Sequence, residues 1–205
     1  MERDVKKIKI AITGGIGSGK SQVAKFIKAL GFSVFSCDEI YKDVILSREY
    51  VAQVKEAFPE CIVENQIDRK TLAQIVFSDA KRREELNAIA HPLIMQKLDK
   101  EMESAPTTLV FAEVPLLFEG NYQDLFNFVL VVERDIEKRI ESVKKRDGLS
   151  DEEILQRIQS QFDYSKIQET KCFKNGKIIA IDNNGSVEEL KENLTLKFNQ
   201  LNWQL

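Results

Sequence analysis

Residues 8–30 read IKIAITGGIGSGKSQVAKFIKAL, and no other stretch limits the possible folds as tightly. A short apolar run at 8–12 meets a glycine-rich turn and then a helical pattern. That pattern sets Val23, Phe26, Ile27 and Leu30 on one face, with Gly31 as the stop. Inside the turn, Gly14-Gly15-Ile16-Gly17-Ser18-Gly19-Lys20-Ser21 is a full match to G-x-x-x-x-G-K-[ST], the phosphate-binding P-loop. Each residue type has a mechanical reason. Glycine accepts backbone angles closed to other residues and lets N–H groups approach an anion closely. The helix that follows aims the positive end of its dipole and its unpaired N–H groups at the same point. Lys20 supplies a point charge for β- and γ-phosphates, and the Ser21 hydroxyl suits Mg²⁺. A glycine turn that merely joins strand to helix is the alternative, and the match of motif to context argues against it. The sequence therefore predicts a chain that binds a nucleoside triphosphate, with Gly15, Gly17, Ser18, Gly19, Lys20, Ser21 and the adjacent Gln22 as candidate contacts.

At 205 residues the chain is long enough to bury a proper core, as one domain or as a core with an insertion. Its net charge of −3 gives no sign of a nucleic-acid or anionic-membrane surface, both of which favour basic proteins. Cys37, Cys61 and Cys172 lie far apart without a C-x-x-C pair, which excludes a zinc ribbon and suits a reducing cytosol. Residues 1–7 are charged in both signs, the apolar run after them is too short for a signal segment, and no later run approaches a membrane span. A cytoplasmic protein without nucleic-acid or membrane partners is expected.

Along the chain, 33–37 reads as a second strand ending at Asp38-Glu39, and 40–58 as a helix that Pro59 halts. Residues 60–68 look irregular and polar. A run of helices follows from Asp68 to Met102, broken at Ser78-Asp79 and bent near His91-Pro92. This middle third, 60–105, reads as a helical insertion. Residues 107–113 and 128–132 are apolar on both faces, as in a buried parallel sheet. Ile136, Ile140 and Val143 mark a helix that ends at Arg146-Asp147-Gly148, and Ser150 with Glu153 forms a capping box for the next. Residues 162–176 are polar and weakly patterned, 177–181 is a fifth strand, and Ser186 with Glu189 caps a last helix. The fold class predicted is α/β: a P-loop NTPase-type, doubly wound, parallel five-stranded sheet. Its core is expected at 1–58, 106–144 and 177–205.

Ligands of such a sheet gather beyond the carboxyl ends of its strands. Asp38 follows the second strand and has two readings of equal weight. It suits a base for an attacking hydroxyl or a Mg²⁺ neighbour, and it equally suits a helix N-cap. Glu113 resembles the acidic residue that orders Mg²⁺ in many P-loop proteins, and equally a charged strand end. Arg134, Arg139, Lys144 and Lys145 read as a solvated helix face, whereas Arg146 at the helix end suits a lid that swings onto the phosphates. His91, the only histidine, reads first as structural. The D-x-x-G at 182–185 lies too late in the chain for a GTPase switch and has no N-K-x-D to accompany it. A turn after the last strand is expected to border the base.

Taken in order, the motifs go further. Thr13 to Ser21 is followed by Asp38, by Asp68-Arg69 with Leu72 and Phe77, and by Leu86-Asn87 with His91-Pro92-Leu93-Ile94. Then come Val114-Pro115-Leu116-Leu117-Phe118-Glu119, Val129 to Val132, Arg146-Asp147 and Ile181-Asp182-Asn183-Asn184-Gly185. Along nearly its full length the sequence resembles the dephospho-coenzyme A kinases. The resemblance implies transfer of the ATP γ-phosphate to the ribose 3′-hydroxyl of dephospho-CoA, with Mg²⁺. It makes Lys20, Asp38 and Arg146 catalytic, with Asp38 as the base, and Ser21 the metal ligand. It sets Asn183 and Gly185 near the adenine, and His91, Pro115, Leu116, Phe118 and Glu119 toward the acceptor. It makes 60–105 the acceptor-binding insertion and 145–176 the lid. Ser36 departs from the family's D-x-D, Gln22 from its usual Thr, and Ser142 from a basic residue; 162–176 is longer than its lid pattern. Another P-loop small-molecule kinase, for a nucleoside monophosphate or a vitamin, is the alternative enzyme; a non-catalytic ATP-dependent switch is the alternative of another class.

Overall fold

The computed structural model describes residues 6–203; residues 1–5, part of the charged start, and residues 204–205 lie outside it. In chain order the first elements are β1 (Ile8–Thr13), α1 (Lys20–Ala29), β2 (Ser33–Ser36), α2 (Cys37–Val44), α3 (Arg48–Ala57), β3 (Ile62–Val63), β4 (Gln66–Ile67) and α4 (Arg69–Ser78). There follow α5 (Ala80–Glu103), β5 (Leu109–Glu113), β6 (Phe128–Glu133), α6 (Ile136–Asp147), α7 (Asp151–Gln159), α8 (Lys171–Lys174), β7 (Ile178–Asp182) and α9 (Val187–Gln200). The described residues form two compact units: residues 6–35 with 102–203, and Ser36–Glu101.

The first unit is the predicted five-stranded parallel sheet, in the order β2-β5-β1-β6-β7. β1 lies between β5 and β6, with Ile10 opposite Phe111 on one side and Phe128 on the other. Ile10, Ala11 and Ile12 of β1 and Val110, Phe111 and Ala112 of β5 are all fully buried, as a sheet covered on both faces requires. On one face, α9 lays Leu190, Leu194 and Phe198, one turn apart, into the core with Ile179 and Ile181. Phe111 anchors that layer. Its ring stacks on Phe198 at 5.6 Å and meets Phe32 and Trp203 edge-on at 5.4 and 5.9 Å. α9 opens with the expected capping box, Ser186 and Glu189 holding each other's backbone N–H.

The second unit starts at Ser36, well before the residue 60 expected for the insertion. The single helix expected over 40–58 is two, because Ser47 turns extended and accepts from the Tyr50 N–H to start α3. Tyr50, Val54 and Phe58 are buried in this unit together with Cys61 and Leu72, and Arg82 lies 4.0 Å over the Phe58 ring. α2 and α3 thus lie in the second unit, with α4 and most of α5. The stretch expected to be irregular at 60–68 holds a hairpin, β3 against β4, turned by Glu64 and Asn65 at φ 48 and 62. The break at Ser78-Asp79 is present. Pro92, where a bend was expected, lies inside the continuous α5 and has no N–H to give to the Ala88 carbonyl. Among the described residues no helix is long and apolar enough to cross a membrane, and none of the three cysteines is in a disulfide.

Candidate active site

The phosphate loop leaves β1 at Thr13 and enters α1 at Lys20. Two of its glycines are required by geometry. Gly17 has φ +77, and a Cβ there would lie 2.5 Å from the Arg139 carbonyl; Gly19, at φ +95, is the left-handed N-cap of α1. The loop thereby turns back on the start of α1, whose N-terminal N–H groups form a ready anion site. The Lys20 ammonium folds over this loop, 2.8 Å from the Gly14 carbonyl and 3.2 Å from that of Gly15. Gln22, one residue beyond Ser21, is half-buried in the first turn of α1.

Ser21 reaches the other way. Its hydroxyl donates to Glu113 Oε1 over 2.7 Å, and Glu113 closes β5 opposite Ile12 of β1. Two hard oxygen donors stand side by side at the phosphate end of the sheet. That donor set fits Mg²⁺, which keeps several waters and takes one or two protein ligands beside phosphate oxygens.

Asn183 is buried after β7, and its amide donates to the Ser18 carbonyl at 2.7 Å. It therefore braces the loop's far end, while Gly185 is exposed beyond it. Asn184 ties the same turn to α6, accepting from the Asp135 N–H at 2.8 Å.

Two arginines read from sequence as part of a solvated face lie on the loop instead. Arg139 Nε donates to the Ile16 carbonyl at 2.9 Å, and burial pulls its pKa down without removing its charge. Arg134 reaches the Gly17 carbonyl at 3.4 Å and Ser142 Oγ at 2.9 Å. With Gly15, Ser18 and Tyr164 they line a cavity of about 220 Å³. Among the described residues, Ser18 Oγ and Arg134 Nε are buried there without a protein partner. The signal for Arg139 was in the sequence: it stands three residues after Ile136 and four before Val143, inside the apolar stripe of α6. Arg146, the expected lid arginine, stands in the last turn of α6 and grips Asp147 with both arms, at 2.7 and 2.9 Å. That pair holds the Asp147 carboxyl below its usual pKa.

The weakly patterned stretch after α7 is also built onto the loop. Gln161 Oε1 accepts from the Ile16 N–H at 2.7 Å, and the Tyr164 hydroxyl lies 3.0 Å from Thr13 Oγ1. Phe118 and Glu119 face this stretch. Phe118 stacks on Phe162 at 4.6 Å, and Glu119 accepts from the Phe162 N–H at 2.8 Å. Leu116 of the same loop is exposed and Pro115 half-buried.

Asp38 and His91 belong to the second unit. Asp38 sits in the first turn of α2, whose N-cap is Ser36, so the capping reading of Asp38 falls away. His91 is in the interior of α5, where burial pulls its pKa below 6.5. This unit has a cavity of about 460 Å³, lined by Tyr41, Tyr50, Arg69, Leu72 and neighbours.

A family model described as CoaE, dephospho-CoA kinase, matches residues 8–189. The dephospho-CoA kinase of Thermus thermophilus is 35% identical over 185 residues, spanning 90% of this chain and 87% of that one. That of Corynebacterium glutamicum is 35% identical over 193 residues, 91% and 96% of the two chains. The solved structure of TT1252 from Thermus thermophilus superposes with a TM-score of 0.78 at 34% identity, covering 96% of this chain and 98% of that chain. A dephospho-CoA kinase from Campylobacter jejuni, 24% identical over 95% of this chain and 97% of its own, shares the fold with a TM-score of 0.60. From the strand that feeds its phosphate loop to the start of its last helix, this chain belongs to the dephospho-CoA kinase family.

Proposed function

We propose that this enzyme moves the γ-phosphate of ATP to the ribose 3′-hydroxyl of dephospho-CoA, giving coenzyme A and ADP. The observation that carries the reading is the span of the family match. It runs over 8–189 and so takes in the whole Ser36–Glu101 unit as well as the phosphate loop. A match confined to the nucleotide core would fit any P-loop kinase; this one includes the part of the chain free to differ with the acceptor.

The roles follow from the chemistry of each group. The loop amides and Lys20 take the phosphates, and the lysine must leave the Gly14 and Gly15 carbonyls to do so. Ser21 and Glu113 would hold Mg²⁺, which supplies charge neutralisation on the phosphate oxygens when bound. Asp38, two residues beyond β2 in the chain, takes the proton of the 3′-hydroxyl as that oxygen attacks phosphorus and the bond to the ADP oxygen breaks. Arg146 stands at a helix end beside Gly148, which is left-handed at φ 68, and serves as the lid arginine. The acceptor falls to the second unit, whose cavity joins apolar walls to Tyr41, Asn65 and Arg69, a lining suited to a long arm with polar groups along it. His91 and the 115–119 loop are assigned to the same acceptor, and Asn183 with Gly185 to the adenine. The reaction and the protein's place are cytoplasmic in this reading, in line with three well-separated cysteines outside any disulfide.

The test is ATP consumption with and without dephospho-CoA, followed by mass spectrometry of the product. A new phosphate on the ribose 3′-oxygen is the expected result. Phosphate elsewhere, or faster turnover of pantothenate or a nucleoside monophosphate, sinks the assignment.

A further inference from the structure

Residue Ile16 stands at the tip of the phosphate loop, and side chains from two separate segments hold both its backbone polar groups. Arg139 of α6 takes its carbonyl at 2.9 Å, and Gln161 takes its N–H at 2.7 Å. Gln161 begins a strap between α7 and α8 that also sets the Tyr164 hydroxyl 3.0 Å from Thr13 Oγ1. The strap is itself pinned. Phe162 stacks on Phe118 at 4.6 Å, Tyr164 meets both rings edge-on at 5.3 and 6.0 Å, and the Phe162 N–H is held by Glu119 at 2.8 Å.

We propose that Gln161 and Tyr164 are positioning residues that hold the phosphate loop in its anion-receiving shape before nucleotide arrives. The strap's contacts fall on Thr13 and Ile16, the entering half of the loop. The half that becomes α1 is braced elsewhere, by Asn183 on the Ser18 carbonyl and Glu113 on Ser21. The strap is therefore a brace beside the anion site and not a plug in it. Gly14, Gly17 and Gly19 all have φ above +70, so without outside support the loop has many conformations to lose when phosphate binds. Fixing them in advance removes that cost from the binding step. It follows that residues 161–164 do not swing with a lid; the part of 145–176 available for such motion is the stretch before them.

This inference rests on the nucleotide-binding reading above, and the test separates the two. Calorimetry would measure binding of the Mg²⁺ complex of a non-hydrolysable β,γ-imido ATP and of inorganic tripolyphosphate, to wild type, Gln161→Leu and Tyr164→Phe. Thermal midpoints would be taken on the nucleotide-free proteins. Gln161→Leu keeps the volume and loses the acceptor. It should weaken both probes by the same factor, about 3- to 10-fold, the scale of one net hydrogen bond. Tyr164→Phe keeps the ring stack and should weaken both in the same direction. Both variants should keep a cooperative melt. Unchanged affinity with a lowered midpoint would make the strap merely structural, and tighter binding would make it a competitor; either overturns the proposal. If Gln161→Leu does not fold, Tyr164→Phe decides alone by the same two outcomes. A wild type that binds neither probe overturns the nucleotide reading itself, and this inference with it.

Discussion

Ser21 Oγ, in the first turn of α1, donates to Glu113 Oε1 at the end of β5 over 2.7 Å. The two residues are far apart in sequence, and the β1–β5 register brings them together. Replacing Glu113 by Gln keeps the shape and removes the charge. The Mg²⁺ concentration for half-maximal activity should then rise about 10-fold or more, the scale for a residue that supports a metal ligand. A Mg²⁺ titration of initial rate checks it; an unmoved midpoint would leave Glu113 a strand terminus and nothing more.

Lys20→Ala should lower turnover about 10²- to 10³-fold, the scale for losing one fixed electrostatic partner of the transferred group. ATP affinity should fall too, because the contact exists in ground and transition states alike. Circular dichroism should show the fold intact, since the ammonium's partners are carbonyls of its own loop.

Asp38→Asn should cost about 10²- to 10⁴-fold in turnover if Asp38 is the base. Stability should barely move, because Ser36 holds the N-cap position of α2 and Asp38 contributes only its charge near the helix start. Measuring rate and thermal midpoint on the same variant separates chemistry from structure.

Arg146→Lys should be costly, since an ammonium lacks the planar fork of parallel donors that a guanidinium sets against two phosphate oxygens. A silent Lys at 146 would shift the role to Arg139, whose guanidinium lies against Gly15 in the structure. Steady-state kinetics of Arg146→Lys decide it.

His91 gives a pH prediction with a definite sign. Burial holds its folded pKa below the 6.5 of the unfolded chain. Its contribution is complete above pH 6.5 and is lost as pH falls from there through the folded value, because the unfolded chain takes the proton first. Denaturant midpoints should decline over that window, and in His91→Gln the decline should be shallower. Equal slopes in the two proteins would contradict it.

The sheet was legible because its central strands are covered on both faces, which leaves apolar runs such as Leu109–Ala112 and Phe128–Val132. The caps were legible for a local reason: Ser150–Glu153 and Ser186–Glu189 each close within one turn. What escaped depends on distance or on unusual residues. The β3–β4 hairpin turns on Glu64-Asn65, without the glycine that normally announces such a turn. Arg139 was visible as a charge within an apolar stripe, but a stripe does not say that a loop over a hundred residues earlier will lie on it. Gln161 and Tyr164 act through single side-chain contacts to that loop, which leave no period in the sequence.

The position of β1 in the sheet has a consequence for synthesis on the ribosome. β1 and β2 are made first but are not neighbours, since β5 lies between them. Ile8 pairs with Leu109 and Ile10 with Phe128, so the strand feeding the phosphate loop emerges with neither partner available. At translation rates of about 5–20 residues per second, its first partner follows about 5–20 s later. Throughout that interval the Ser36–Glu101 unit, whose residues are all made before β5, has its own buried cluster to form. The nascent chain meanwhile carries an unpaired strand of Ile10, Ala11 and Ile12, every one buried in the finished sheet. Such a segment is what chaperones bind, and a slower codon before residue 109 would lengthen its exposure.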